Sequence, residues 1–292
     1  MVSTLLTWWA LMASGLAAAP APRVAAPAAA RVERASFVSR ALGQPRELLV
    51  VLPPGYDPDA PVAYPVVYLL HGLGGEPQDW VTHGKIDAVL GRLVAAGGVR
   101  PLVLVAPDGD NGYWTDHLGA PGAPGPRWGS YVAEDVVREV EARYRVRRDR
   151  AGRAIAGVSM GGHGAMSIGL VHPERFAAIV SLAGALFPEP PTHRPVYKKV
   201  WGDPPDAAHW AATSPMALMR RLDPGPATPA LYLHCGDDDA AGFLEYAVDA
   251  HRVLLERKVP HELRVGDGGH VWGAWNTATE DWLRFVDAGL GR

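Results

Sequence analysis

A single cysteine, Cys235, stands among 292 residues. Its isolation excludes an internal disulfide framework and a cysteine-rich metal site. It closes the apolar run Ala230-Leu231-Tyr232-Leu233-His234-Cys235, where a buried structural thiol is expected rather than a reactive one. Charge is sparse as well: charged residues make up 20% and the formal net charge is -3. With no basic cluster, the electrostatic footprint of a nucleic-acid binder is missing. Long hydrophobic runs are also lacking. Residues 5–19 are apolar and uncharged but too short for a comfortable membrane span.

That run, followed by small residues, has the pattern of a secretory signal and cleavage zone. No Lys or Arg precedes it, and Pro20 opposes cleavage directly after Ala19, so a junction nearer Ala30 is an alternative. An uncleaved anchor or a misassigned start codon would give the same run. The expectation is an exported protein, periplasmic or secreted, with residues 1–31 as signal and Ala/Pro leader. Without a functional signal it would be cytoplasmic. No stable membrane span is expected in the mature protein.

What is abundant is glycine (33), proline (27) and hydrophobic residues (48%). From Val32 onward, short β-branched runs bounded by Gly and Pro alternate with amphipathic stretches. The strand candidates are 46–53 (RELLVVLP), 63–70 (AYPVVYLL), 102–106, 153–158 (RAIAGV), 176–182, 228–234 and 261–265. Helical spacing marks 85–96, 130–144, 160–171, 243–256 and 277–288. Strands separated by helices require crossover connections. The predicted fold is therefore α/β, one domain over 32–292, with a mostly parallel sheet covered on both faces. Two long irregular stretches, 108–127 and 187–210, read as site-forming loops, the second as a lid or wall.

Gly157-Val158-Ser159-Met160-Gly161 matches G-x-S-x-G, with a strand running in and a helix leaving. The nucleophile of such an elbow sits on a strained turn, and flanking glycines let strand and helix pass closely. A serine hydroxyl is a weak nucleophile and needs an adjacent base. Of eleven histidines, His270 lies in Gly268-Gly269-His270-Val271-Trp272 just after the last strand, where a hydrolase of Ser–acid–His order carries its base. His163 follows the elbow too closely and is expected to pack, and His234 reads as a satisfied core residue. The acid belongs after strand 228–234, where Asp237, Asp238 and Asp239 all qualify. The remaining aspartates are expected to cap a helix near Ala241. No metal is expected there. For the oxyanion, the pattern points to the N–H groups of Met160 and of Leu73 in His71-Gly72-Leu73-Gly74-Gly75. Trp80, Tyr113, Trp114 and Trp272 are candidate walls of a substrate pocket.

These motifs resemble the putative-esterase family of α/β-hydrolases, which includes esterase D (S-formylglutathione hydrolase), feruloyl esterase domains and bacterial mycolyltransferases. The segments that carry the likeness are Leu70–Gly75, Ala156–Ala165 and Gly269–Trp272, and it extends over most of residues 35–290. The resemblance implies a cofactor-free serine esterase acting on a small-molecule or carbohydrate-linked ester. The family's G-x-x-D turn, carried onto Gly236-Asp237-Asp238-Asp239, selects Asp239 as the acid. Acyl transfer or thioester hydrolysis on the same triad, and a non-catalytic binding protein on a hydrolase scaffold, are the alternatives.

Overall fold

The computed structural model describes residues 29–120, 123–239 and 242–291. The 5–19 run lies outside them. An eight-stranded sheet of order β1-β2-β4-β3-β5-β6-β7-β8 organises the chain. Its strands are β1 (Arg31–Ser39), β2 (Gln44–Leu52), β3 (Val66–Leu70), β4 (Val103–Pro107), β5 (Arg153–Val158), β6 (Ala178–Leu182), β7 (Ala230–Gly236) and β8 (His261–Gly266). β1 and β2 form an antiparallel hairpin and β2 pairs antiparallel with β4. From β4 through β8 every pairing is parallel.

The central strands β3, β4 and β5 are buried along their whole length. Being covered on both faces, they read as continuous apolar runs without alternation. Successive side chains still point to opposite faces. Tyr68, Leu70, Val103, Val105 and Ile155 enter one core, with Val132, Val136 and Val140 and with Met166 and Ile168 of the helix Met160–Val171. Val67, Leu69, Leu104, Ala154 and Ala156 enter the other, against the helices Ile86–Ala95 and Thr279–Gly289.

Several expectations need correction. β1 carries no apolar run. It alternates half-buried and exposed positions along an edge, with Ala35 and Phe37 packed on the core. Residues 187–210 are partly helical, at Pro195–Trp201 and Ala207–Thr213, with Pro195 in the first turn of the former and Asp206 capping the latter. The helix expected over 277–288 is found at Thr279–Gly289, and a short helix that was not expected, Trp272–Thr277, precedes it. The helix at 130–144 starts earlier, at Trp128, and is π-wound over Tyr131–Val136. That widened turn holds Asp135, buried although a simple amphipathic reading would expose it. Burial opposes its ionisation. The Ala41 N–H, the Ser39 hydroxyl and the Arg138 guanidinium outweigh that and hold the carboxyl below the usual range.

Among the described residues no helix is long and apolar enough to cross a membrane.

Candidate active site

All the sequence-derived catalytic candidates lie just past the carboxyl ends of parallel strands, where open α/β sheets bind ligands. Ser159 follows β5 with φ 55° and ψ -117°, a conformation that L-residues rarely adopt. The glycines around it are sterically required. A Cβ on Gly157 would lie 2.1 Å from the Gly161 carbonyl oxygen, and one on Gly161 would lie 2.0 Å from the Leu70 carbonyl oxygen. The elbow backbone is tied down by Ser159 N–H donating to Leu182 O at 2.8 Å.

The acid turn and the base loop are cross-linked by their backbones. Asp237 N–H donates to Gly266 O at 2.8 Å and Asp238 N–H to Gly268 O at 3.1 Å, while the Asp237 carboxylate accepts from Gly268 N–H at 3.0 Å. Asp237 and Asp238 thus extend the β7–β8 pairing. Neither caps the following helix, Phe243–Glu256, whose N-cap is Gly242 and has no side-chain cap. Asp239 follows them in the turn, and its side chain is fully buried.

The result is a linear hydrogen-bonded array. His270 Nδ1 lies 2.7 Å from Asp239 Oδ2, and His270 Nε2 lies 2.8 Å from Ser159 Oγ. A carboxylate only accepts, so Nδ1 carries the proton and Nε2 presents its lone pair to the serine hydroxyl. Proton removal from Ser159 as Oγ attacks is the chemistry this arrangement supports. Cys235 sits behind the carboxylate, its thiol 3.8 Å from Asp239 Oδ2. Burial first and the neighbouring Asp239 charge second push the thiol up to about 12, so it stays protonated and unreactive.

The loop after β3 runs directly over the nucleophile: a Cβ on Gly72 would lie 3.4 Å from Ser159 Cβ. This loop is braced by Asn111, which the sequence did not single out, and by His71 and Trp114, for which it suggested no such role. Asn111 Oδ1 accepts from Gly74 N–H at 2.7 Å. The His71 ring bridges Gly72 O (2.9 Å) and Gly109 N–H (3.1 Å), which fixes its neutral tautomer, and burial lowers its pKa. Trp114 Nε1–H donates to His71 O at 3.0 Å. Only the irregularity of 108–127 hinted at this role, because the partners lie far apart in sequence.

Three of the four proposed pocket aromatics are interior packing residues. Trp80, Tyr113 and Trp114 are 2% exposed or less. Trp80 packs edge-on against Trp272 and Trp282, and Tyr113 sits among His163, Phe187, Tyr197 and Trp201. A long irregular segment here buries its aromatics under its own turns instead of presenting them to solvent. Trp272 is half-buried, beside the loop that carries His270. Two other aromatics, Phe243 and Trp275, pack on His270 itself.

The competing histidines are also accounted for. His234 is buried, but its Nδ1 has no hydrogen-bond partner among the described residues, contrary to the expectation of a satisfied core group. His163 is buried with Nδ1–H donating to Ala185 O at 2.9 Å, and desolvation lowers its pKa to about 4. An unfolded histidine titrates near 6.5, so between these values the unfolded chain binds the proton that the fold excludes. The stability this contributes is complete above pH 6.5 and is lost as pH falls towards 4, by about 3 kcal/mol. Denaturant titrations should show that decline, and His163→Gln should flatten it. Equal pH slopes in the two proteins would contradict this account.

The sheet order, the elbow and the hydrogen-bonded Ser–His–Asp side chains define a serine hydrolase of the α/β-hydrolase class. Comparison with known proteins narrows this. The family model described as Putative esterase matches residues 39–285, and the chain belongs to that family of carboxylic ester hydrolases. It is 25% identical to an acetyl esterase of Caldicellulosiruptor saccharolyticus, covering 72% of this chain and 78% of the relative. An S-formylglutathione hydrolase of Paracoccus denitrificans is 28% identical, covering 79% and 83%. Among solved structures a ferulic acid esterase superposes with TM-score 0.72 at 28% identity, covering 90% of this chain and 99% of that one. Some matched proteins are much longer: the chain spans 31% of an esterase of Mycobacterium tuberculosis.

Proposed function

We propose that the protein hydrolyses a small-molecule or carbohydrate-linked carboxylic ester through an acyl-enzyme on Ser159. The observation that carries this reading is the unbroken line Asp239–His270–Ser159 at 2.7 and 2.8 Å. In acylation His270 Nε2 takes the Ser159 proton as Oγ attacks the carbonyl carbon. The buried Asp239 carboxylate stabilises the resulting imidazolium, which then protonates the departing alcohol oxygen. A water, deprotonated by the same imidazole, attacks the acyl-enzyme and releases the acid. The oxyanion formed in each step is held by the N–H groups of Leu73 and Met160, neither of which is used by a protein carbonyl among the described residues. Such donors are preorganised and need no reorientation during the reaction.

The relatives include an acetyl esterase, a ferulic acid esterase and an S-formylglutathione hydrolase, and this chain's own residues add one preference. Leu73 (39% exposed) and Val271 (58% exposed) are exposed apolar residues, one on the loop after β3 and the other next to His270. Exposed apolar groups on these two loops support a preference for an apolar acyl or alcohol portion. A panel of acetyl, longer acyl, feruloyl and S-formylglutathione substrates tests the reading. Turnover of oxygen esters above the thioester is expected, with the free acid as product even when an alcohol is added. Predominant transfer to the alcohol would instead mark an acyltransferase.

We also propose export. Protein from the native host should then begin between residues 20 and 32, which N-terminal sequencing reads directly. An intact Met1 on a cytoplasmic protein would refute it.

A further inference from the structure

The two hydrogen bonds to His270 leave one motion free. They fix the line from Asp239 through Nδ1 and Nε2 to Ser159, but the imidazole can still rock about that line. The two residues before it, Gly268, at φ 114°, and Gly269, carry no side chains that could brace the ring. Two aromatic rings close off the remaining motion. Phe243 lies nearly parallel to the imidazole, with centroids 4.2 Å apart and planes at 29°. Trp275 meets it almost perpendicularly, at 5.0 Å and 89°. Both come from adjoining chain: Phe243 opens the helix that follows the Asp239 turn, and Trp275 lies in Trp272–Thr277, directly after His270.

We propose that Phe243, backed by Trp275, is a positioning residue for the catalytic base, holding the imidazole plane and stabilising the imidazolium through its π face. The proposal rests on His270 being the base. Phe243 is only half-buried, whereas Trp275 is 7% exposed and sits in the core beneath the loop. Phe243 is therefore the ring that can be exchanged without opening the core. The face of an aromatic ring carries negative charge density, so its attraction for imidazole rises when the ring becomes a cation. That gain appears in the steps in which His270 holds the transferred proton and is absent in the resting enzyme. Only such differential interactions raise kcat.

The test is Phe243→Leu, with Phe243→Met as a second variant should leucine disturb folding, and Phe243→Tyr as the conservative rescue. Phe243→Leu should lower kcat about tenfold, with KM within about threefold of the parent. Labelling of Ser159 by a small alkyl fluorophosphonate should slow in parallel, because that reaction needs the base but not the acyl pocket. Phe243→Tyr should restore both rates to within about threefold, since it keeps the π face. A loss confined to KM, with labelling unchanged, would make Phe243 a pocket wall and overturn the proposal. So would an aliphatic variant with full kcat, or a tyrosine variant as slow as leucine. His270→Ala run alongside separates the two levels. Activity surviving that change rejects the base itself, whereas its loss with Phe243→Leu unaffected rejects only the aromatic clamp.

Discussion

Ser159→Ala should abolish ester turnover while leaving the fold unchanged. Removal of a triad nucleophile costs on the order of a millionfold in kcat, leaving the residual contribution of oxyanion binding. Stability should hardly change, because what is strained at this position is the backbone, at φ 55°, and alanine meets the same strain as serine. The hydroxyl's bond to His270 is made at a partly exposed position, where a lost hydrogen bond costs about 1 kcal/mol. Comparison of kcat and of denaturation midpoints for the two proteins checks both halves. Hydrolysis by the variant within tenfold of the parent would dismiss Ser159 as nucleophile.

Asp239→Asn should be the second most damaging change, and it separates three adjacent aspartates that composition alone cannot rank. An asparagine amide beside His270 Nδ1 can donate where the carboxylate only accepts. The imidazole then turns to the tautomer that directs N–H, rather than its lone pair, at Ser159 Oγ. In serine proteases this costs on the order of ten-thousandfold in kcat. Asp237→Asn keeps an oxygen for Gly268 N–H, and Asp238 is exposed, so both variants should stay within about tenfold of the parent. With all three folded by circular dichroism, a large loss at Asp237 or Asp238 and a mild one at Asp239 would reassign the acid.

The aspartates also show where the sequence stops being informative. The strand before them is legible, because a buried parallel strand reads as an apolar run closed by glycine, and the base loop is marked by Gly268-Gly269 after the partly exposed edge strand β8. Which carboxylate turns inward is decided by backbone bonds from Asp237 and Asp238 to Gly266 and Gly268, contacts between segments some thirty residues apart. The resemblance pointed to Asp239, and the hydrogen bond from His270 lies on that residue. The elbow was legible because steric demands on Gly157 and Gly161 are local. The edge strand β1 was not, since its inward side is made of small and polar residues as well as Phe37. The helices at Pro195–Trp201 and Ala207–Thr213 were hidden by prolines that here begin or flank short helices.

Aromatic residues misled for a physical reason. Tyr113 and Trp114, at φ 59° and 53°, lie in a strained loop, and the indole of Trp114 serves as a post under His71. A glycine- and aromatic-rich loop near a site can thus be a support for the oxyanion loop and not a wall of the pocket. Asn111, which holds Gly74, is the polar member of that support. Nothing in the spacing of 108–127 distinguishes it from its neighbours.

The most direct test of the central claim is fluorophosphonate labelling of the native protein, followed by peptide mapping of the adduct. The reagent forms a stable phosphonyl ester only with a serine whose proton is drawn off by a neighbouring base and whose developing oxyanion is stabilised. A single adduct on Ser159, formed with complete loss of esterase activity and absent from His270→Ala, is the predicted result. An adduct on any other residue, or full ester turnover by protein whose Ser159 is quantitatively labelled, would contradict the account.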